Sequence, residues 1–292
     1  MNKGKVFLAT LAVLALLAGA VQAEMWAGGY LGGTWGANNS SYLSVSPVRI
    51  FPDTSVVDIN TKLSHTAHIQ GAFQGGLKIG AWFEKSGVLS GINFPTWMKY
   101  FGFYTDFSYH RLNFRHDLGT ATYNVRVVPV EGQSYTFSGS VPFGLYTEGY
   151  AATWAFMFAG RYGFLPDADV PFGRLQLMLA VGPAILFSGQ TPTFTTPFGD
   201  DFSPFGPRAF WKPDSQSSTD VCLAVETGLR WMALKNVSLD ATFKYRYAKP
   251  SYTYATQRSY GFPPVISIEK YRATLNPTYH LFSFQIGANY HF

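Results

Sequence analysis

The sequence has one cysteine, few charges and no long apolar run beyond its first residues. Cys222 is the only cysteine in 292 residues, which excludes an intrachain disulfide framework and a cysteine-based zinc site. Charged residues make up 13% of the chain, whereas ordinary soluble domains carry about 25%. After residue 23 no stretch stays apolar for the ~20 residues that a membrane-spanning helix needs. The sequence therefore indicates neither a disulfide-rich domain nor a helical membrane protein.

The first 23 residues have the features of a secretory signal. Lys3 and Lys5 precede a short apolar run, and the small residues that end at Ala23 suit a cleavage site. We predict a cleaved signal peptide at residues 1–23 and an exported chain at 24–292. Loss of the two lysines lowers the formal net charge from +5 to +3. This small excess, without a basic run, does not indicate nucleic-acid binding.

Aromatic residues are abundant, at 17% of the chain, and apolar residues alternate with small or polar ones. In the C-terminal stretch Phe282, Phe284 and Ile286 share one parity, whereas Ser283 and Gln285 share the other. A period of two indicates a β-strand with two different faces.

Eight alternating segments are connected in a regular manner. They span residues 24–36, 66–83, 99–114, 148–164, 173–187, 219–232, 236–248 and 279–292. Each has at least the ~10 residues that a tilted strand needs to cross hydrocarbon. The long connections are 37–65, 115–147, 188–218 and 249–278, and the shorter ones are 84–98, 165–172 and 233–235. Long loops on one side and short turns on the other are typical of an outer-membrane barrel.

Closure of the strands follows from the chemistry of the backbone. In lipid every backbone N–H and C=O must be paired within the protein, and strands achieve this only in a closed barrel. We therefore predict an all-β fold, a closed antiparallel eight-stranded transmembrane β-barrel with four long extracellular loops and three shorter periplasmic turns. The last segment should pair with the first. Apolar residues should face the acyl chains, and polar or small residues should fill the interior.

Several stretches resemble the OmpA-type and opacity-type eight-stranded outer-membrane barrels. "MWAGGYLGG" is similar to their aromatic, glycine-rich first strand, and "ETGLRWMALKNVSLDATFKYRYA" resembles one of their hairpins. The resemblance implies a location in the bacterial outer membrane, in contact with its lipid and lipopolysaccharide. It also implies that the barrel-assembly machinery recognises the C-terminal strand ending at Phe292. We expect the resemblance to cover the barrel only, without a peptidoglycan-binding domain, so it does not imply a wall-anchoring role.

Nine charged residues fall on the inward parity of these strands. They are Lys78, Asp106, Arg161, Arg174, Glu226, Arg230, Asp240, Lys244 and Arg246. The interior of an eight-stranded barrel is just wide enough for side chains, so buried charges there must pair. The sequence predicts an ion-pair network that plugs the lumen, and a narrow path for ions or small apolar molecules is the alternative.

Two pairings of the interior charges follow from the predicted hairpins. Lys78 should lie close to Asp106. A turn at 233–235 places Glu226 near Thr242 and diagonal to Lys244.

Other groups suggest chemistry only weakly. Ser108 and His110, with Asp106 on the same inward face, suggest a lipid A acyl hydrolase, but one strand cannot supply the geometry of a catalytic triad. His65 and His68 are interpreted as polar rim residues. Asp200 and Asp201 in the connection 188–218 are a weak calcium signal. We expect no catalytic residue, metal or cofactor.

Aromatic residues near the strand ends are predicted to anchor the barrel at the membrane interfaces. They are Trp26, Trp35, Trp82, Tyr100, Tyr162, Trp231, Tyr245, Tyr247, Tyr290 and Phe292. The connection 188–218 repeats the triplet Pro-Phe-Gly, which either packs the loop or exposes an aromatic surface to a ligand. The sequence thus predicts a non-enzymatic outer-membrane barrel that presents long surface loops for envelope structure, adhesion or surface recognition.

Overall fold

The fold is described from a computed structural model. It describes residues 25–36, 39–45, 48–50, 56–83, 95–128, 132–170, 172–195, 209–260 and 267–292. The predicted signal peptide lies outside these residues, and so do Asp200 and Asp201. Within these ranges no helix is both long and apolar enough to cross a membrane.

The described residues form fifteen strands and one short 3-10 helix, Thr96–Tyr100. The strands are β1 (Met25–Gly36), β2 (Asn39–Val45), β3 (Val48–Ile50), β4 (Val56–Ala67), β5 (Ala72–Trp82), β6 (Phe101–Arg111), β7 (Phe114–Val128), β8 (Tyr135–Phe164), β9 (Leu175–Thr195), β10 (Ala209–Trp211), β11 (Gln216–Leu234), β12 (Val237–Ala248), β13 (Tyr252–Tyr260), β14 (Ser267–Pro277) and β15 (Tyr279–His291).

Eight of these strands close into a barrel. Their order around the wall is β1, β5, β6, β8, β9, β11, β12 and β15, and each is antiparallel to both neighbours. β15 returns to β1, with pairs from Trp26↔His291 to Gly36↔Leu281. The predicted fold class and the predicted pairing of the last segment with the first are confirmed.

The long connections consist largely of strands. β2, β3, β4, β7, β13 and β14 continue the sheet beyond one end of the barrel, together with the outer half of β8 (residues 135–147). We call this sheet the crown. β8 has 30 residues, which at ~3.3 Å per residue extend to ~100 Å. Since a strand crosses hydrocarbon in ~10 residues, much of β8 lies beyond the membrane-spanning wall. The opposite end, where the short turns, Met25 and Phe292 lie, is called the short-turn end.

The two faces of the barrel wall have the polarity expected of a membrane protein. On β9, Leu179 points outward and is 61% exposed, whereas its neighbour Met178 is buried. From the short-turn end to the level of Arg111 on β6 and Glu148 on β8, the outward positions of the eight strands carry no Asp, Glu, Lys or Arg. Polar side chains instead fill the interior. This is the reverse of a soluble protein, and the chain is a β-barrel of the outer-membrane type.

Candidate functional site in the barrel lumen

Two lysines and two carboxylates form a compact layer in the middle of the lumen, which we call the charge layer. Lys78 on β5 contacts Glu226 on β11, with 2.5 Å between Nζ and Oε1. Lys244 on β12 contacts Asp106 on β6, and its Nζ lies 2.8 Å from Oε2 of Glu226. The layer therefore holds two positive and two negative charges that neutralise one another.

Tyr30 on β1 completes the charge layer. Its hydroxyl donates to Oδ1 of Asp106 at 2.7 Å, and its ring centroid lies 4.9 Å from Lys78 Nζ. The ring fits there because residue 76 is a glycine. A Cβ on Gly76 would lie 2.3 Å from the Tyr30 hydroxyl oxygen. The layer thus ties together five of the eight strands through side chains.

Arg246 lies next to the charge layer, on the crown side, and is surrounded by neutral acceptors. Its Nη2 donates to Gln74 at 2.8 Å and to Ser283 at 2.7 Å. Its Nη1 donates to Ser108 and Thr153 at 3.2 Å each. A guanidinium that water cannot reach needs several such acceptors, because a buried cation without hydrogen bonds is strongly unfavourable.

Arginines stacked on tryptophans fill the short-turn end of the lumen. Arg230 donates bidentately to Asp240, at 2.9 Å from Nε and 2.8 Å from Nη2. The guanidinium carbon of Arg230 lies 4.5 Å from a Trp26 ring centroid, and that of Arg161 lies 4.3 Å from Trp82. These distances are those of cation–π contacts.

Three buried tyrosines fill the crown end of the lumen. Tyr252 on β13 donates to Ser188 at 2.6 Å, and its hydroxyl lies 3.1 Å from that of Tyr279 on β15. Tyr254 donates to the carbonyl of Gln190 at 3.2 Å. Three residues separate the crown end of β12 from β13, which places the first tyrosine of β13 beside the inward residues Ser188 and Tyr279 of the wall.

Eight of the nine predicted lumen charges lie inside the barrel, each no more than 6% exposed. They are Lys78, Asp106, Arg161, Glu226, Arg230, Asp240, Lys244 and Arg246. For the ninth residue, Arg174, the prediction of a place in the lumen is wrong. Arg174 lies in the turn before β9, where its Nε is 2.5 Å from Oδ2 of Asp167 and its side chain is 37% exposed. The alternation of β9 begins only at Leu175, so parity could not fix the direction of Arg174.

The Asp167–Arg174 pair belongs to the short-turn end and is in contact with solvent. The hydrogen bond from Arg174 holds the pKa of the Asp167 carboxyl below its ordinary value. The same contact raises the pKa of the Arg174 guanidinium. This pair stabilises a turn and takes no part in the lumen.

The predicted pairing of β11 with β12 is wrong by two residues. Glu226 lies opposite Lys244, and Arg230 lies opposite Asp240. The reason is the position of the turn: Leu234 pairs with Val237, so the turn is Lys235–Asn236 rather than 233–235. A shift of two residues keeps every side chain on its face, so the set of inward residues is unchanged. Lys78 does lie opposite Asp106, but each pairs with a different partner.

Two of the predicted interface aromatics lie inside the barrel. Trp26 and Trp82 are buried at 1% exposure, because they share the inward parity of Tyr30 and Lys78. The others lie outside the lumen, Tyr100 at the end of the 3-10 helix and the rest on the outer wall. Trp35, Tyr100, Tyr162, Trp231, Tyr290 and Phe292 are exposed, and Tyr245 and Tyr247 are half-buried.

No family model and no characterised protein matches the sequence. Among solved structures, the chain is similar to the outer membrane protein OprG from Pseudomonas aeruginosa, with 12% identity, 94% of this chain and 98% of that chain covered, and a TM-score of 0.38. At such values a likeness assigns no activity to this chain.

Two further solved structures are similar to the same degree. One is Ail, the attachment invasion locus protein of Yersinia pestis, in complex with the heparin analogue sucrose octasulfate, at 13% identity, 92% and 99% coverage and a TM-score of 0.31. The other is the outer membrane protease OmpT from Escherichia coli, at 10% identity, 92% and 96% coverage and a TM-score of 0.34.

The side chains considered for hydrolase chemistry are enclosed in the lumen. Ser108 accepts a hydrogen bond from Arg246. His110 Nδ1 lies 2.8 Å from the carbonyl oxygen of Arg111, and Asp106 binds Tyr30 and Lys244. These contacts give each group a structural partner and do not join the three into a catalytic relay.

Of the two histidines predicted to lie at the rim, His68 is exposed, and the side chain of His65 lies outside the part that the structure describes. Among the described side chains, no three His, Cys, Asp or Glu residues are placed to hold a metal ion.

Sequence reasoning missed the tyrosines of the lumen. Tyr30 could have been found, because it shares its parity with Thr34 and differs from Leu31 and Trp35. Tyr252 and Tyr254 lay in a stretch interpreted as a loop. Their spacing of two was the one available signal.

Proposed function

We propose that the protein is a bacterial outer-membrane barrel with a closed lumen, which presents the crown at the cell surface for adhesion or surface recognition and contributes to envelope structure. The observation that carries this proposal is the burial of the inward side chains combined with strands that extend far beyond the bilayer. The barrel wall would be anchored in outer-membrane lipid by its outward apolar residues. The crown would face the exterior, since long connections of such barrels lie outside the cell.

Support for a closed lumen comes from its successive layers. A continuous aqueous path would leave the side chains along it accessible to water. Instead, the arginine–tryptophan contacts, the charge layer, the Arg246 contacts and the tyrosines follow one another along the axis with almost no exposure. An eight-stranded barrel has an interior just wide enough for side chains.

Support for a recognition role comes from the crown. Tyr135 and Phe137 near the tip of the β7–β8 hairpin are 58% and 50% exposed, and the intervening residue Thr136 is exposed as well. Both faces of this hairpin are therefore available to a partner. A surface built on paired strands is ordered before binding, so less conformational entropy is lost than with a flexible loop.

The closed lumen can be tested with the native cysteine. Cys222 points into the lumen and is buried. In lipid vesicles we expect a charged methanethiosulfonate reagent to leave Cys222 unmodified until the protein is unfolded in urea. A variant carrying Ser215→Cys and Cys222→Ala is the accessible control, because Ser215 is exposed. Rapid modification of folded Cys222, or steady conductance in planar bilayers, would contradict a closed lumen.

The orientation can be tested with epitope tags in living cells. A tag inserted after Gln133, at the tip of the β7–β8 hairpin, should bind antibody on intact cells. A tag inserted after Ala168, in a short turn, should bind only after the outer membrane is permeabilised. The reverse pattern would place the crown in the periplasm and end the recognition proposal.

A further inference from the structure

A groove of about 640 Å³ opens on the outside of the barrel wall, where β5 and β6 meet the crown. Phe73 and Gly75 of β5 and Tyr109 and Arg111 of β6 line it, and all four are on the outward parity. Their inward neighbours Gln74 and His110 are buried. The groove therefore faces the surrounding bilayer and not the lumen.

The floor of the groove is formed by the backbone of Gly75, which has no side chain. Gly75 lies opposite Tyr109 on β6 and opposite Leu31 on β1. A Cβ on Gly75 would touch nothing closer than Leu31 Cδ2, at 3.4 Å. The glycine thus exposes backbone between two outward aromatic rings, Phe73 and Tyr109, which are 70% and 52% exposed. This shape suits a narrow apolar chain lying along the wall.

The crown end of the groove is polar and positively charged. Arg111 is the last residue of β6 and is exposed, and Gln70 and Asn113 line the groove beside it. The rim is fixed by backbone and side-chain contacts: Gln70 N–H donates to the Asn113 carbonyl at 2.9 Å, and Gly149 N–H donates to Asn113 Oδ1 at 3.1 Å. Below Arg111 the outward positions of β6 are uncharged, so the guanidinium lies where the apolar belt ends.

We propose that this groove binds one phosphorylated glycolipid of the outer leaflet, and this rests on the proposed placement of the crown outside the cell. An acyl chain lies over Gly75 between Phe73 and Tyr109, and a phosphate of the headgroup pairs with Arg111. Guanidinium groups pair with phosphate oxygens through parallel hydrogen bonds. The amides of Gln70 and Asn113 are placed for sugar hydroxyls. A soluble anion could bind Arg111 but would leave the apolar part of the groove unfilled. The groove volume of about 640 Å³ lies in the range of ligand pockets.

The proposal is tested by native mass spectrometry of the folded, detergent-solubilised protein. The probe is synthetic diphosphoryl lipid A, compared with the same lipid after removal of its phosphates. We expect one diphosphoryl lipid to bind per barrel, with about tenfold weaker binding after Arg111→Gln or Gly75→Leu. Arg126→Gln is the matched control, because Arg126 is exposed on β7 near the tip of the crown hairpin and should leave binding unchanged.

Each outcome of this experiment is decisive for the groove. Equal binding of the dephosphorylated lipid, or unchanged binding by both Arg111→Gln and Gly75→Leu, overturns the assignment. If Arg126→Gln weakens lipid binding equally, the binding is a non-specific charge attraction, and the assignment of the groove is also overturned. Heat-modifiable migration in gels shows whether each variant is folded. The tag experiment does not depend on Arg111, so normal tag exposure without lipid binding ends only this inference, whereas a reversed tag pattern ends the proposed function as well.

Discussion

Replacing Glu226 by Gln should unbalance the charge layer and destabilise the barrel strongly. Glu226 contacts two lysines, at 2.5 Å for Lys78 and 2.8 Å for Lys244. At an effective dielectric constant of ~20, each contact corresponds to about 6 kcal/mol of Coulomb attraction before desolvation is subtracted. Breaking a buried ion pair by removing one partner typically costs about 3–5 kcal/mol. We expect the upper part of this range, because one carboxylate, Asp106, would remain for two buried lysines.

A double-mutant cycle separates the electrostatic part of the destabilisation by Glu226→Gln from the part that comes from changed side-chain packing. Lys78→Met in the Glu226→Gln background removes the excess positive charge and leaves the Lys244–Asp106 pair balanced. The double variant should therefore be more stable than Glu226→Gln alone, with a coupling energy of about 2 kcal/mol. Urea unfolding followed by tryptophan fluorescence, in lipid vesicles under reversible conditions, measures the four free energies of unfolding that the cycle needs: those of the wild type, Glu226→Gln, Lys78→Met and the double variant.

A matched carboxylate outside the layer serves as the control. Asp220 on β11 is half-buried and accepts a hydrogen bond from Ser218 at 2.6 Å. Asp220→Asn should lower the free energy of unfolding by less than about 1 kcal/mol, as for a partly solvated group. If Glu226→Gln costs no more than this control, or if the cycle shows no coupling, the layer is hydrated and the case for a closed lumen fails.

Three further predictions concern the wall, a turn and the crown. Leu179→Arg, at mid-wall on the outward face, should lower the free energy of unfolding by about 2–4 kcal/mol, whereas Leu234→Arg at the short-turn end should lower it by about 0–1 kcal/mol. Urea unfolding measures both values. Equal values would show that Leu179 does not face lipid. The Asp167 carboxyl should titrate below its ordinary pKa, and NMR should show that Arg174→Gln raises this pKa towards the ordinary value, because the largest cause of the lowering is removed. The pair then stabilises the turn at neutral pH and loses this contribution as the pH falls through the lowered pKa. Burial raises the pKa of Tyr252 to about 12, so the folded chain keeps a proton that the unfolded chain loses near the ordinary tyrosine pKa of about 10. The free energy of unfolding should therefore decline between about pH 10 and 12. Tyr252→Phe should flatten this decline.

Strand positions and faces could be predicted because they depend on a local pattern. A period of two does not require knowledge of the partner strand, so parity alone placed Lys78, Glu226 and Lys244 inside. Ion-pair partners were not predictable in this way. Lys78 pairs with Glu226, which lies on the other side of the barrel, and no local rule specifies which side chains meet across a lumen.

The strands of the crown were missed although β4 and β7 alternate in polarity. On β4, Val57, Ile59 and Leu63 alternate with polar residues, and on β7, Val125 and Val127 flank Arg126. Strands outside the bilayer can be exposed on both faces, as at Tyr135, Thr136 and Phe137, and then no face has to be apolar. The sequence "TATYNVRVV" in β7 is rich in β-branched residues, which favour strands. The strand content of the loops was therefore readable from the same period of two as the barrel strands, but these segments were assigned to loops because they lie between the eight segments of the wall.

The two misplaced tryptophans show why residue type is a poorer guide than parity in a membrane barrel. A tryptophan is favoured at the membrane interface by its amphipathic ring, and it is equally favoured inside the lumen, where its face binds a buried guanidinium. Composition near a strand end cannot distinguish these environments. Parity can, because Trp82 lies four residues from Lys78 and must share its face. For these two tryptophans the buried environment includes a cation, since Arg230 lies beside Trp26 and Arg161 beside Trp82.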